Sequence, residues 1–182
     1  DNEVMRFCQA FMAELHKHIG ADVDVPAGDI GVGGREVGYM FGMYKKLEGE
    51  FSSVLTGKGV HYGGSLIRPE ATGYGTVYFA EDMLMRRNEG LEGQRVTISG
   101  SGNVAQYAAQ KAMQLGAKVV ALSDSGGTLH LPDGLTAEQW LELVDLKEVR
   151  RGRIADFARA HGLEYFEGKR PWHIPCEIAL PC

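Results

Sequence analysis

Two stretches of this chain hold residues whose types and spacing could do chemistry. The first is Pro26-Ala-Gly28-Asp29-Ile-Gly31-Val-Gly33-Gly34. A run so poor in side chains cannot make a regular element, so it reads as a loop whose backbone comes close to something. Asp29 is its only charge. A carboxylate there can bond its own turn backbone, or it can stand beside a cleft and move a proton. Spacing alone does not choose between the two. The second stretch is Arg95-Val-Thr-Ile-Ser-Gly100-Ser-Gly102-Asn-Val-Ala105. A β-branched run passes into Gly-x-Gly-x-x-Ala, then into a small-residue helix from Ala105 to Leu115, then into a second apolar strand, Lys118–Leu122. Strand, glycine turn, helix, strand is the setting a dinucleotide fingerprint requires. Gly100 permits the tight turn, Gly102 lets a pyrophosphate approach the backbone, and Ala105 keeps helix and sheet close. The free N–H groups at the helix start then face an anion.

Other elements must position these two stretches. Apolar residues at Val4, Phe7, Phe11, Leu15 and Ile19 predict a helix capped by Asp1 or Asn2 and ended by Gly20. His16 and His18 fall at its end and read as a solvated helix terminus. Asp22–Val25 alternates like a strand, and Val54–Thr56 is a second short strand candidate. Between them a helix from Glu36 to Leu47 turns Val37, Met40, Phe41, Tyr44 and Leu47 to the core. Gly57–Ser65 is a polar connection in which His61 reads as structural.

Pro69-Glu70 opens a helix that continues to Arg87. Gly73 and Gly75, so near its start, predict close backbone approach to a ligand or strand, with the Thr72 hydroxyl beside it. Beyond the glycine turn, Ser123–Gly127 forms a strand tip and Thr128–Leu131 a short extra strand. Thr136-Ala-Glu-Gln139 is a capping box before a helix carrying Trp140, Leu143 and Val144. A further helix carries Ile154, Phe157 and Ala158, and Ile178–Leu180 is the last strand. The composition change at Gly63-Gly64 sets the expected boundary, giving domains 1–63 and 64–182.

Composition excludes several classes. A net charge of −5 over 182 residues leaves no basic footprint for nucleic acid. The three cysteines, Cys8, Cys176 and Cys182, argue against a disulfide framework or a zinc knuckle, so no metal is expected. No apolar run approaches the ~20 residues of a membrane span, and no signal peptide opens the sequence. The expected compartment is the cytoplasm. The chain begins at Asp1 and stops within a strand-like Ile178–Cys182, and we read it as a piece of a longer protein.

Three blocks taken together carry a resemblance: Pro26–Gly33, Gly63-Gly-Ser-Leu-Ile-Arg-Pro-Glu-Ala-Thr-Gly-Tyr-Gly75, and Ser99–Ala105. They resemble the hexameric glutamate/leucine/phenylalanine/valine dehydrogenases, and among these the NADP-specific members acting on glutamate. The resemblance implies an α/β fold: the C-terminal part of a substrate domain over 1–63, then an incomplete Rossmann-like nucleotide-binding domain over 64–182. It implies reversible oxidative deamination of L-glutamate to 2-oxoglutarate and ammonia by a homo-oligomer, a hexamer. Asp29 would be the carboxylate that transfers protons, Gly28 would offer its backbone to the amino acid, and Thr56 would line the substrate pocket. Thr72 and Asn103 would hold the nicotinamide carboxamide and ribose side, while Gly100, Gly102 and Val104 match the pyrophosphate turn. Asp29 and that turn would then share one crevice.

The cofactor's 2′ position sets two arguments against each other. An acid about 20 residues past the fingerprint accepts from a free ribose hydroxyl and favours NAD, and Asp124 lies near that place. A 2′-phosphate instead repels a close carboxylate and needs cations or hydroxyls. The Ser123-Asp124-Ser125 tip resembles the NADP-specific members, whose phosphate-gripping cations look like Lys147 and Arg153 here. NADP is therefore the expected cofactor, with NAD less favoured; otherwise the basic cluster is a solvated helix end.

By the resemblance, the family's catalytic lysine, in a Gly-Gly-Gly-Lys loop, would precede Asp1, and the lysines that grip the substrate carboxylates and the distal half of the nucleotide domain are also missing from these residues. These 182 residues alone are expected to turn over little. Two alternatives stand beside this reading: a module for nucleotide binding or assembly without catalysis, and a related amino-acid dehydrogenase with an apolar substrate.

Overall fold

The computed structural model describes residues 1–66 and 68–182. Ile67, inside the Gly63–Gly75 block, lies outside the described residues. The chain divides into two units, Asp1–Arg68 and Pro69–Cys182.

In the first unit, helical apolar spacing yields α1 (Asn2–Leu15) and α2 (Gly34–Glu48). Gly33 donates its N–H to the Glu36 carboxylate at 2.9 Å to start α2, and Gly49, with φ of 73°, ends it in the left-handed region. Met12, Val37, Phe41 and Tyr44 pack with Val54 and Leu55 into one small core. Leu47, expected inside, is 40% exposed, because the last turn of α2 runs past that core. After α1 a short 3₁₀ turn spans His16–His18, and His16 Nδ1 meets Glu48 Oε1 at 2.5 Å. That histidine therefore ties the two helix ends together, while His18 stays exposed.

The two strands expected here do not form. Asp22–Val25 belongs to a turn closed by Gly20 N–H to the Asp24 carbonyl at 3.1 Å. Val54–Thr56 bends at Leu55, whose φ is 67°. A strand is stable only with a ladder partner. Among the described residues of this unit no strand exists to supply one.

The second unit opens with α3 (Arg68–Met85) and is built on β1 (Arg95–Ser99), β2 (Lys118–Ser123), β3 (Gly127–His130), β4 (Tyr165–Glu167) and β5 (Ile178–Pro181). They form one sheet in the order β4-β3-β2-β1-β5. β1 pairs in parallel with β2 and β5, whereas β3 runs antiparallel to β2 and β4 antiparallel to β3. The fold is mixed α/β, as expected, but a doubly wound sheet would have continued in parallel past β2. The turn at Asp124–Gly126 sends the chain straight back instead. β4 escaped the sequence reading because three residues, Tyr-Phe-Glu, are too few to show a period of two.

Helix α4 (Asn103–Gln114) joins β1 to β2 and lies on the sheet through Ala105, Ala108, Ala109 and Ala112, all buried. The expected capping box is present: Gln139 N–H donates to Thr136 Oγ1 at 3.1 Å and opens α5 (Ala137–Val144). A π-helical turn, Asp145–Val149, follows directly, and α6 (Ile154–His161) ends at Gly162.

The start of β5 is locked by charge. Glu177 accepts from the Arg95 N–H at 2.8 Å and from the Arg95 guanidinium at 2.6 Å. These bonds, the guanidinium's first, pull the Glu177 carboxyl from 4.5 down to about 2. A carboxyl with a lowered pKa binds fewer protons folded than unfolded. Its contribution is therefore present above about 4.5 and lost as pH falls through about 2. Glu177→Gln is expected to lower the urea midpoint near pH 6, with the gap to wild type closing toward pH 2. A gap that stays constant across that window counts against the assignment.

Candidate functional site

In the first unit the glycine loop is closed on itself. Val32 N–H donates to the Asp29 carbonyl at 2.8 Å, with Gly31 at φ of 78°. A side chain at Gly28 would put its Cβ 2.6 Å from the Val32 carbonyl oxygen, so that position must stay bare. Asp29 is exposed, and its Oδ1 accepts from the Ile30 N–H at 2.8 Å. Thr56 is also exposed, and its N–H donates to the Pro26 carbonyl at 2.9 Å. That backbone bond places Thr56 beside Pro26, two residues before Gly28 and three before Asp29.

Behind them stands Lys58, 8% exposed, which sequence reasoning missed. Its ammonium donates to the Val54 carbonyl at 2.9 Å and to the Leu55 carbonyl, and it lies over the Phe41 ring. Burial pushes its pKa down. Its place is structural: it satisfies the carbonyls of the left-handed turn that presents Thr56.

In the second unit the Gly-x-Gly turn has the geometry its sequence implies. Gly100 sits at φ of 91°, and a Cβ there would meet the Cys182 carbonyl oxygen at 2.7 Å. Gly102 is exposed and caps α4, with nothing within 4 Å of the place a Cβ would occupy. The first-turn amides of Asn103, Val104 and Ala105 have no carbonyl four residues back within the helix. Open space before a glycine at a helix N-terminus fits a pyrophosphate, by dipole and by donor supply. Asn103 is exposed beside it.

Ser123, expected to touch the cofactor, is 2% exposed. Its Oγ accepts from the Gly100 N–H at 3.2 Å, and its own N–H bonds the Gly100 carbonyl at 3.3 Å. It holds the turn in place. Asp124 is turned inward: Oδ1 accepts from Gly126 N–H at 2.8 Å and Gly127 N–H at 3.2 Å, and the side chain is 7% exposed. The hydroxyl presented at the tip belongs to Ser125, which accepts from Arg153 at 2.9 Å. Arg153 also stands 3.8 Å from Asp124 Oδ2, a buried oxygen with no hydrogen bond. Lys147, half-buried, donates to the Gly152 carbonyl at 3.1 Å.

Thr72 is exposed on α3, where its carbonyl accepts the Thr76 hydroxyl at 2.9 Å. The neighbouring Gly73 approaches a helix, neither ligand nor strand: a Cβ there would meet the Ala108 nitrogen and Val104 carbonyl oxygen at 2.6 Å each. Gly75 has open space in front of it. Among the described residues no three His, Cys, Asp or Glu side chains group as metal ligands, and no helix is long and apolar enough to cross a membrane.

A parallel β2-β1-β5 core, with a glycine turn opening the helix between β1 and β2, is the architecture of dinucleotide-binding α/β proteins. Residues 63–182 match the Glutamate/Leucine/Phenylalanine/Valine dehydrogenase family, and residues 1–46 match the dimerisation domain of the same family. The chain belongs to the Glu/Leu/Phe/Val dehydrogenase family. It is 61% identical over 182 residues to the NADP-specific glutamate dehydrogenase of Escherichia coli, covering 41% of that protein. Against the NAD(P)-specific glutamate dehydrogenase of Xylanibacter ruminicola the identity is 63%, again covering 41%. Among solved structures it superimposes on Plasmodium falciparum glutamate dehydrogenase with a TM-score of 0.90 at 52% identity, covering all of this chain and 39% of that one. The hetero-hexameric glutamate dehydrogenase from Thermus thermophilus, in its leucine-bound form, matches at 26% identity with a TM-score of 0.76, over 41% of its chain. The chain thus spans about two fifths of the relatives it matches.

Proposed function

We propose that this chain carries the proton-handling and nucleotide-holding parts of an NADP-dependent glutamate dehydrogenase, with residues 1–63 in its substrate domain and 64–182 in its nucleotide domain. The observation that carries the reading is the withdrawn acid at the tip of β2. Asp124 gives Oδ1 to the amides of Gly126 and Gly127 and keeps Oδ2 buried 3.8 Å from Arg153, leaving the Ser125 hydroxyl and the largely exposed Arg153 guanidinium at the surface. A hydroxyl and a cation suit a 2′-phosphate, where an outward carboxylate would suit a bare ribose. Gly100, Gly102, Asn103 and Val104 would hold the pyrophosphate, Thr72 and Asn103 the nicotinamide side, and Lys147 would add charge near Arg153. The cofactor held there would supply a hydride acceptor for the α-carbon of L-glutamate. Asp29 takes the proton from the substrate nitrogen and moves protons again as water converts the imine to 2-oxoglutarate and ammonium. Gly28 and Thr56 position the amino acid beside it.

The match of residues 1–46 to a dimerisation domain supports self-association, and the hetero-hexameric neighbour supports six subunits; a homo-hexamer is the assembly in this proposal. On α1, Phe7 and Phe11 stack with centroids 6.3 Å apart, 71% and 48% exposed, an apolar face suited to a partner.

The test replaces the corresponding stretch of the Escherichia coli relative with these 182 residues. The chimera is expected to oxidise NADPH in an ammonium-dependent manner with 2-oxoglutarate, and to prefer NADPH to NADH. A folded chimera with no such turnover overturns the proposal.

A further inference from the structure

Gln106 is an amide in a wall of alanines. It is 1% exposed, between Ala105 and Ala108 on α4, one helical step off their sheet-facing side and turned toward Ser101 and the π-helical turn. A buried amide is retained where its hydrogens are used, and both of these are. Nε2 donates to the Ser101 carbonyl at 3.0 Å, inside the Gly-x-Gly turn, and to Glu148 Oε1 at 3.2 Å, inside the π-helical turn. The backbone of the same residue takes a third bond: its carbonyl accepts from Trp140 Nε1 at 2.7 Å. Trp140 belongs to α5, the helix that runs directly into that π turn. One residue therefore fastens the turn proposed to hold the pyrophosphate to the segment Lys147–Arg153. A π-helical turn is an uncommon conformation that recurs at functional sites. Asp145 and Lys147 bond just beyond this turn, to Arg150 at 2.7 Å and to the Gly152 carbonyl at 3.1 Å, while Glu148, 3.9 Å from Arg151, carries the bond to α4.

We propose that Gln106 is a positioning residue for cofactor selectivity: it couples the pyrophosphate turn to the cation-bearing π segment, so that the 2′-phosphate meets Arg153 in register. The inference rests on the NADP reading above but asks for more than that reading does. A residue that merely stabilised α4 would weaken NADPH and NADH alike when lost. A coupling residue weakens the preference between them.

The experiment measures Kd for NADPH and NADH by fluorescence titration of the chimera, so it needs no turnover. Gln106→Leu keeps the volume and removes both donors, and it is expected to lower the NADPH-over-NADH ratio about tenfold, equivalent to about 1.4 kcal/mol. Should that variant fold poorly, a second one serves. Glu148→Ala, at an exposed position, keeps the Gln106 bond to the Ser101 carbonyl and cuts only the tie to the π segment, and it is expected to lower the same ratio. A Gln106→Leu or Glu148→Ala protein that keeps the wild-type ratio overturns the inference alone. A wild-type chimera that binds without preferring NADPH overturns it together with the cofactor reading.

Discussion

Asp29→Asn in the chimera is expected to lower kcat for glutamate deamination by about 10²–10⁴-fold, the range a positioned acid–base group supplies. The substitution is close to ideal as a probe. Among the described residues Oδ1 accepts only the Ile30 N–H, a bond that an asparagine carbonyl makes equally well, so the loop closed by Val32 N–H to the Asp29 carbonyl is kept. What disappears is the ability to hold a proton and release it. KM for NADP⁺ and the melting temperature are therefore expected to stay near wild type while kcat falls. If kcat stays within threefold of wild type, Asp29 is a turn residue, and the proton transfer belongs elsewhere.

Gly73→Ala is expected to cost about 3 kcal/mol, at the upper end of what overpacking a tight contact costs, and to lower the melting temperature of the second unit by roughly 10 °C. The new Cβ would stand 2.6 Å from the Val104 carbonyl oxygen, 2.6 Å from the Ala108 nitrogen and 2.8 Å from the Tyr107 Cβ. Backbone atoms of a helix cannot swing aside as the end of a flexible side chain does, so α3 must lift away from α4. Gly75→Ala supplies the control. Nothing lies within 4 Å of that Cβ, and alanine in place of glycine within a helix gains about 0.5–1 kcal/mol. Two glycines two residues apart are thus expected to respond with opposite signs. Equal responses by calorimetry would contradict the packing described for α3 and α4.

Much of the second unit could be read directly from the residues, because local and long-range signals agree there. Val96–Ile98, the Gly100 turn and the alanine face of α4 each demand the same neighbour. The first unit was harder. Asp22–Val25 alternates and Val54–Thr56 is β-branched and apolar, yet a period of two describes what a strand would bury, not whether a partner exists to pair with it. Lys58 gives no sequence signal, since a lysine beside a glycine usually faces water; only the fold shows two carbonyls waiting for it. Gln106 gave none either: an amide one step off the alanine face reads as a solvent-facing residue, and only the fold shows it 1% exposed. Ser125, two residues past the expected Ser123, was missed because the two share one strand parity, and only the turn that begins after Ser123 separates them.

The reversal of β3 reaches beyond topology. A parallel successor to β2 would need a crossover of about a dozen residues or more, and the acid ending β2 would stand loose above the sheet. Because the chain doubles back within Asp124–Gly126, the hairpin's own amides recruit that acid as their cap. In the proposed reading, nucleotide choice is then written into strand direction before any cation is placed. Retuning such a protein toward the unphosphorylated cofactor would call for rerouting a connection, because exchanging Ser125 or Arg153 alone leaves the acid still spoken for.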